Sequence, residues 1–357
     1  MRNYNPNSAN TLLVETLEEE EFRVLRDVCL SNTQSITATD AVIGDDEFSL
    51  KIRLITNFKH LDLFWKLNFK ESEQNSTAID GEIIFLEIDN TNEVIKKYDF
   101  QKFRFYNKKF NSIISLNNDF FGNVKISYRA IAANAAIANN VLTLHSGCLN
   151  IQGKYVALTG DSGAGKSTIF NLLDSTFDGT LIWEDFGFIN VENAHLINPN
   201  EIFNQIKYRT LETMLPLFKD LENINTEFFD VDNAFYSERR LMINFSDVRK
   251  TIQNSNVLRP KVLDALVIIT NNLELPFSIT KVSAAKALKI FSKPIFSKAH
   301  QEQIKYANGS LVLDDKLSQL HNEKFLELFN TIKHLIILNN NYTPINPNTI
   351  LDLINEN

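Results

Sequence analysis

Residues 160–168 read Gly-Asp-Ser-Gly-Ala-Gly-Lys-Ser-Thr, which fits the G-x-x-x-x-G-K-[ST] pattern of loops that wrap nucleotide phosphates. Glycine lets such a loop turn its N–H groups inward, because no Cβ stands in the way. The pattern assigns the Lys166 ammonium to the β- and γ-phosphates and the Ser167 hydroxyl to Mg²⁺. The nucleotide-binding residues that it predicts are Gly160, Asp161, Ser162, Gly163, Ala164, Gly165, Lys166, Ser167 and Thr168.

The segments on either side of this loop have the character that a phosphate site needs. The residues from Tyr155 to Thr159 predict a short buried strand, and those from Ser167 to Leu173 predict the first turns of an amphipathic helix. A phosphate bound between them would meet the free N–H groups and the dipole of a helix N-terminus. The sequence therefore predicts an α/β nucleotide-binding domain that takes a nucleotide with Mg²⁺.

Composition limits the classes of partner. The chain has 357 residues, 44% apolar and 22% charged, with a net charge of −8, which is ordinary for a globular protein of about two domains. No basic run is present, so we expect no nucleic-acid partner. Cys29 and Cys148 lie far apart and predict no disulfide framework, with Cys148 as a small core residue. The polar N-terminus and the lack of a long apolar run predict a cytoplasmic protein with no membrane partner.

The chain divides by pattern into an N-terminal α+β domain, residues 1–126, and a phosphate-loop domain, residues 127–357. In the first domain the pattern predicts a helix over Phe22–Cys29. It also predicts strands at Phe48–Ile55, Leu61–Phe69, Glu82–Ile88 and Phe103–Tyr106.

The second domain is predicted to alternate strands and helices. It opens with an Ala-rich helix over Tyr128–Asn140. A further helix is predicted from Glu201 towards Leu215. The predicted strands are Val141–Leu144, Cys148–Ile151, Leu181–Trp183, Phe188–Val191, Leu241–Phe245 and Leu266–Thr270, and another helix covers Ser283–Phe291.

The loop spelling is shared with transporter ATPases, but the rest of the chain argues against that class. Those ATPases need a Gly-Gly signature on the second nucleotide face, and after Gly187 this chain has a single glycine, Gly309. Their loop also lies near the start of the domain, whereas 159 residues precede Gly160 here. We therefore exclude a transporter ATPase.

Two further motifs stand at definite distances from the loop. His145-Ser146-Gly147 begins fifteen residues before Gly160, and Glu184-Asp185 lies eighteen and nineteen residues after Lys166, at the end of a predicted strand. Together with the loop, these motifs resemble the HPr kinase/phosphorylase family, whose nucleotide-binding fold is of the phosphoenolpyruvate carboxykinase type. The specific resemblance covers residues 145–189, and beyond them it is only architectural.

The resemblance is to divergent members of that family. Thr168 stands where the family has a glutamate, the acidic pair is Glu-Asp instead of Asp-Asp, and the following Gly-rich peptide is missing. HPr is therefore not predicted as the substrate. The resemblance implies an ATP-dependent kinase, forming a homo-oligomer, that phosphorylates a Ser or Thr hydroxyl of a peptide or protein, such as a natural-product precursor peptide, or a small-molecule alcohol.

The resemblance also implies roles for the acidic pair and for the histidine. One carboxylate would act as the base on the acceptor hydroxyl and the other would hold metal; we assign Glu184 as the base and Asp185, with Ser167, as the metal ligand, although the two acids could be exchanged. His145 would hydrogen-bond a phosphate or the acidic pair. Further candidates for contacting the phosphoryl group are Lys207, Arg209, Arg239 and Arg240.

The rival hypothesis is a P-loop ATPase that acts as a nucleotide-dependent regulator. Asp314-Asp315 follows the short apolar run Leu311–Leu313 and imitates the strand end that holds metal in ordinary NTPases. A kinase of the type described needs His145 and the Glu184-Asp185 pair beside the loop, whereas an ordinary NTPase needs Asp314. Sequence alone leaves both open.

Overall fold

The computed structural model describes the chain as a mixed α/β protein with several mixed sheets, which confirms the predicted class at that level. The described residues are 13–71, 78–88, 92–100, 103–117, 121–160, 164–201, 203–207, 240–244, 261–291, 305–307, 310–312, 315–341 and 343–356.

The N-terminal part forms a seven-stranded mixed sheet with the strand order β1-β6-β7-β5-β3-β2-β4. The pairs β1/β6, β3/β5 and β5/β7 are parallel, and the remaining pairs are antiparallel. Its strands are β1 (Leu13–Thr16), β2 (Thr37–Gly44), β3 (Ser49–Thr56), β4 (Lys70–Glu71), β5 (Gly81–Leu86), β6 (Phe103–Asn107) and β7 (Ser112–Leu116).

Helices cover both faces of this sheet, because its central strands are apolar on both sides. On β5, Ile83 and Phe85 belong to one core, while Ile84 and Leu86 point to the opposite core, as the period of two in a strand requires. The first core packs against α2 and α3, and the second against α1. The helices are α1 (Glu19–Ser31), α2 (Lys59–Asn68) and α3 (Phe121–Ile137).

The predicted strand at Leu61–Phe69 is wrong, because this segment is helix α2. Leu61, Phe64 and Trp65 are buried and repeat with helical spacing, whereas Leu63 and Leu67 on the other side are 43% and 44% exposed. The run is apolar on both faces, so its aromatic-rich composition resembled that of a buried strand. The helical period decides the structure here.

The second large sheet has six strands in the order β11-β9-β10-β16-β20-β17, with β10, β16 and β20 parallel at its centre. Smaller sheets are β13-β12-β8, β14-β15 and β18-β19. The strands are β8 (Val141–Leu144), β9 (Ser146–Ile151), β10 (Lys154–Gly160), β11 (Thr180–Trp183), β12 (Gly187–Asn190), β13 (Leu196–Ile197), β14 (Phe203–Lys207), β15 (Arg240–Asn244), β16 (Ala265–Thr270), β17 (Ser278–Lys281), β18 (Lys305–Ala307), β19 (Ser310–Val312) and β20 (His334–Asn339).

Helices also cover both faces of the six-stranded sheet. One core joins the sheet to α4 and α7 through side chains such as Ile169, Leu173 and Ile354, all at most 2% exposed. The other joins it to α5 and α6 through Phe291 and Phe325. Full burial of a side chain of this size stabilises the fold by about 1.5–3 kcal/mol. These helices are α4 (Lys166–Phe177), α5 (Ala284–Phe291), α6 (Asp315–Thr331) and α7 (Pro347–Asn355).

Helix α3 connects the two halves of the chain. The predicted domain boundary between residues 126 and 127 falls inside it. Tyr128 and Ile131 on α3 share one core with the first sheet and with Phe186 and Phe188, which follow β11. The turn after β11 is therefore packed against the N-terminal half, and this position matters for the site.

The helix predicted from Glu201 towards Leu215 is wrong over its first part. Phe203–Lys207 is strand β14, which pairs antiparallel with Arg240–Asn244 in a two-stranded ribbon. Residues 208–215 lie outside the described part of the chain. Both cysteines are free and buried; the prediction that Cys148 is a core residue is confirmed, and burial raises the pKa of Cys29 to about 12.

Candidate functional site

The phosphate-loop motif connects a parallel strand to a helix, as its pattern predicts. Strand β10 ends at Gly160 and α4 begins at Lys166, while Asp161, Ser162 and Gly163 lie outside the described residues. Gly160 has φ of +145°, and a Cβ there would lie 2.0 Å from the Ile269 carbonyl oxygen. Only glycine fits this position, because both the backbone conformation and the neighbouring strand exclude a side chain.

The second half of the loop is held by the residue that follows strand β20, two strands away from β10 in the sheet. The Asn340 side chain, directly after β20, donates from Nδ2 to the Ala164 carbonyl oxygen at 2.9 Å. Gly165 precedes α4 with φ of +94°, and a Cβ on it would come within 2.6 Å of the same Asn340 amide. The loop therefore lies at the carboxyl edge of the parallel strands, where open α/β sheets bind their ligands.

Lys166, Ser167 and Thr168 form the first turn of α4. The Lys166 ammonium donates to the Gly160 carbonyl oxygen at 2.8 Å, so it lies across the base of the loop. Ser167 and Thr168 are exposed. The first N–H groups of a helix have no partner within the helix, so this end of α4 can receive an anion.

The acidic pair stands where strand β11 ends. Adjacent residues within a strand point to opposite faces, but β11 ends at Trp183, so this constraint does not apply to Glu184 and Asp185. Both residues line one cavity of about 60 Å³ together with the loop residues Lys166 and Ser167. Its remaining walls are His145, Ser146, Gly147, Leu158 and Phe170. The structure thus brings the three sequence motifs together around one space.

Asp185 is held from both sides. Its Oδ1 accepts a hydrogen bond from His145 Nε2 at 2.9 Å, and its Oδ2 accepts from Arg129 Nη1 at 2.7 Å. The His145 backbone is fixed in turn, because its carbonyl oxygen accepts from Thr159 Oγ1 at 3.0 Å. Behind this layer the Trp183 indole donates to Ser146 Oγ at 3.0 Å.

These contacts set the charges at the site. Burial raises the pKa of Asp185, but the Arg129 charge and the His145 hydrogen bond outweigh burial and hold the pKa of that carboxyl well below its usual range. Burial lowers the pKa of His145, and the neighbouring Asp185 only partly offsets this. At neutral pH the pair is therefore a carboxylate and a neutral imidazole whose proton is on Nε2.

A second carboxylate stands behind Arg129. Glu201, whose side chain is 3% exposed, accepts from Arg129 Nη2 at 3.0 Å, and Lys125 Nζ lies 3.6 Å from the same oxygen. Burial raises the pKa of Glu201 to about 7, while the Lys125 charge acts in the opposite direction. Basic and acidic side chains thus alternate from α3 to the cavity, in the order Lys125, Glu201, Arg129 and Asp185.

Sequence reasoning missed Arg129, Lys125 and Glu201. Lys125 and Arg129 are four residues apart on a helix that is otherwise uncharged, so they occupy one face of α3. Charged residues at that spacing on a buried helix were the available signal. No sequence pattern could connect these basic residues with their carboxylate partners, since Glu201 lies 72 residues from Arg129.

The remaining candidate residues belong to the ribbon β14-β15 or to helix α6, or they lie outside the described part of the chain. Lys207 and Arg240 belong to the ribbon β14-β15, where they are paired in register. Asp315 begins helix α6. Residues Arg209, Arg239 and Asp314 are outside the described residues.

Comparison of the chain with protein-family models and with curated proteins gives no match. Among the described residues no helix is long and apolar enough to cross a membrane. The same residues contain no group of three or more His, Cys, Asp or Glu side chains placed to hold a metal ion.

Proposed function

We propose that this protein is an ATP-dependent kinase of the HPr kinase-like P-loop type. It transfers the γ-phosphoryl group to a Ser or Thr hydroxyl of a peptide or protein, or to a small-molecule alcohol. One observation carries the proposal: the cavity beside the phosphate-loop motif is lined by Lys166 and Ser167 on one side and by Glu184, Asp185 and His145 on the other.

The donor groups suit a nucleotide with Mg²⁺. Mg²⁺ prefers oxygen ligands and uses one or two protein groups together with substrate phosphates, so Ser167 and Asp185 are sufficient to hold it. When bound, the ion would neutralise charge on the transferred phosphoryl group. The N-terminus of α4 and the Lys166 ammonium supply positive potential for the phosphates.

The chain's own groups can carry the proton of the reaction. The acceptor hydroxyl oxygen forms a bond to the γ-phosphorus as the bond from that phosphorus to the β–γ bridging oxygen breaks, and ADP leaves. Glu184 accepts the hydroxyl proton, since it lines the cavity. His145 keeps Asp185 oriented by donating to its Oδ1.

Incubation with γ-labelled ATP and a Ser/Thr peptide library, together with peptides encoded beside its gene, tests the proposal. We expect label on an acceptor hydroxyl, located by mass spectrometry. Glu184→Gln should lower the transfer rate by about 100-fold or more. Glu192→Gln is the matched control, since this exposed carboxylate contacts only the Asn140 side chain among the hydrogen bonds described.

The rival regulator ATPase predicts a different result. Label would then appear only as inorganic phosphate, Glu184→Gln would be harmless, and Asp314→Ala would abolish turnover. That combination would overturn the kinase proposal.

A further inference from the structure

We propose that Arg129 is a positioning residue for this site: its guanidinium bridges Asp185 to the buried Glu201 and fixes the Asp185 carboxylate at the edge of the cavity. The inference rests on the proposed function for its kinetic consequence. The structural part of the inference, that Arg129 orients Asp185, does not depend on whether the protein is a kinase.

The geometry of Arg129 is that of a two-sided clamp. Nη1 donates to Asp185 Oδ2 at 2.7 Å. On the other side, Nη2 donates to both carboxylate oxygens of Glu201, at 3.0 and 3.2 Å, and Nε adds a contact at 3.3 Å. A planar guanidinium can serve two carboxylates at once in this way, which a lysine ammonium on a flexible stem does poorly.

The turn that carries Asp185 is fastened to Arg129 at two consecutive residues. The guanidinium carbon lies 5.2 Å from the centre of the Phe186 ring, within the range of a cation–π contact. Phe186 is 4% exposed and belongs to the core shared with α3. Charge holds the Asp185 side chain, and packing holds the next residue, so the backbone between them has little freedom.

The anchor for this clamp lies in the N-terminal half. Tyr128, adjacent to Arg129 on α3, is fully buried and packs edge-on against Trp65 and Phe69 of the α2 region. Glu201 is neutralised on its far side by Lys125, whose side chain is 6% exposed. Through these contacts, the position of α3 determines where the Asp185 carboxylate lies at the edge of the cavity.

Orientation of Asp185 should affect the chemical step more than ATP binding. In the proposed function the loop and Lys166 would supply the phosphate contacts, and the hydrogen bonds described join Arg129 to Tyr128, Asp185 and Glu201 and not to the loop. A misplacement of about 1 Å in a reacting constellation costs on the order of 100-fold in rate. We therefore expect Arg129→Met to lower kcat by about 100-fold and to change KM for ATP by less than about threefold.

Conservative and rescue variants separate positioning from simple loss of structure. Arg129→Lys keeps the charge but reaches one carboxylate at a time, so its kcat should lie between those of wild type and Arg129→Met. Arg129→Ala leaves a guanidinium-sized gap, and millimolar guanidinium should restore part of kcat where equal NaCl does not. Removal of one partner from a buried ion pair destabilises strongly, but Glu201 keeps Lys125 as its partner in Arg129→Met; urea unfolding of Arg129→Met checks that the variant remains folded.

A direct readout of Asp185 needs no catalysis. Carbodiimide-driven labelling of carboxylates in the full chain, followed by mass spectrometry, reports whether Asp185 is engaged; labelling at Asp185 should rise in Arg129→Met. The matched control is Arg53→Met, which removes a similar half-buried pair, Arg53 with Asp40 at 2.6 Å, in the first sheet. Asp185 labelling should stay at the wild-type level in that control.

The outcomes distinguish the two proposals. If Asp185 labelling is unchanged in Arg129→Met, or if its kcat equals that of Arg53→Met, the positioning role is overturned. If wild type transfers no phosphate while labelling still rises in Arg129→Met, the kinase proposal fails and the positioning of Asp185 stands.

Discussion

His321 provides a quantitative test of the fold around the core that joins the six-stranded sheet to α5 and α6. It lies on α6 with no exposed surface, next to the Phe325 ring at 6.5 Å between centroids. Among the described residues neither ring nitrogen has a hydrogen-bond partner. Burial without a partner lowers the pKa of His321 from 6.5 to about 4, because the charged imidazolium would be poorly solvated there.

The sign of the pH effect follows from this shift. The unfolded chain takes up the proton near pH 6.5, whereas the folded chain does so only near pH 4. Stability is therefore complete above about pH 7 and declines as the pH falls towards 4, since the unfolded state binds more protons in that window. From pH 7 to pH 5 the linkage amounts to about 2 kcal/mol of unfolding free energy from this one residue.

Replacement by an apolar side chain should remove that part of the acid sensitivity. Between pH 7 and pH 5, we expect the unfolding free energy of His321→Leu to fall by about 2 kcal/mol less than that of wild type. At pH 7 the variant should be at least as stable as wild type, because the substitution removes two unpaired polar atoms from the core. Urea unfolding at both pH values measures this. An identical pH dependence in His321→Leu and wild type would refute the reasoning.

Two further predictions concern the loop. Gly160→Ala should destabilise the protein by more than about 3 kcal/mol, since its Cβ would lie 2.0 Å from the Ile269 carbonyl oxygen. Gly153→Ala is the control and should cost only about 1–2 kcal/mol, because Gly153 has φ of +81° but open space around it. Urea unfolding of both variants measures these losses, and equal losses would argue against the close strand contact. Asn340→Ala should weaken ATP binding about fivefold, because it removes a hydrogen bond of about 1 kcal/mol that holds the loop. Titration calorimetry measures it, and Asn341→Ala, whose side chain contacts only Thr343 among the hydrogen bonds described, should bind like wild type.

Local patterns were sufficient for the strand–loop–helix unit. The residues from Tyr155 to Thr159 form a continuous apolar run, as in buried parallel strands, and they lie within β10. The spacing of Ile169 and Leu173 gave the helical face of α4. In both cases one local signal and the tertiary packing agree, which is when propensity predicts structure well.

Where the local signals were ambiguous, the prediction was wrong. Helix α2 is rich in large apolar residues on all sides, so composition favoured a strand although the buried side chains follow the helical period. The segment Phe203–Lys207 has helix-compatible residues, but pairing with Arg240–Asn244 makes it a strand. A partner 33 to 41 residues away cannot be read from a local window.

Some residues of the site could likewise be predicted from sequence spacing, and others could not. His145 and Glu184-Asp185 were found from their spacing to the loop, and that spacing has a structural cause, since β9, β10 and β11 are neighbours in one sheet. Arg129 and Glu201 reach the site from outside this sheet, one from α3 and one from the segment after β13. No short-range pattern connects them, because their positions depend on how α3 packs against the first sheet.

The contacts of Asp185 also bear on how the two acids divide the work. An ionised carboxylate offers about four acceptor positions, and His145 and Arg129 occupy one on each oxygen. The remaining positions are enough for a cation, but a carboxyl whose pKa is held well below its usual range is a weak acceptor of a proton. Glu184 lines the same cavity. The low pKa of Asp185 thus favours Glu184 as the base and Asp185 as the metal ligand, and exchange of the two roles would require Arg129 to release Asp185.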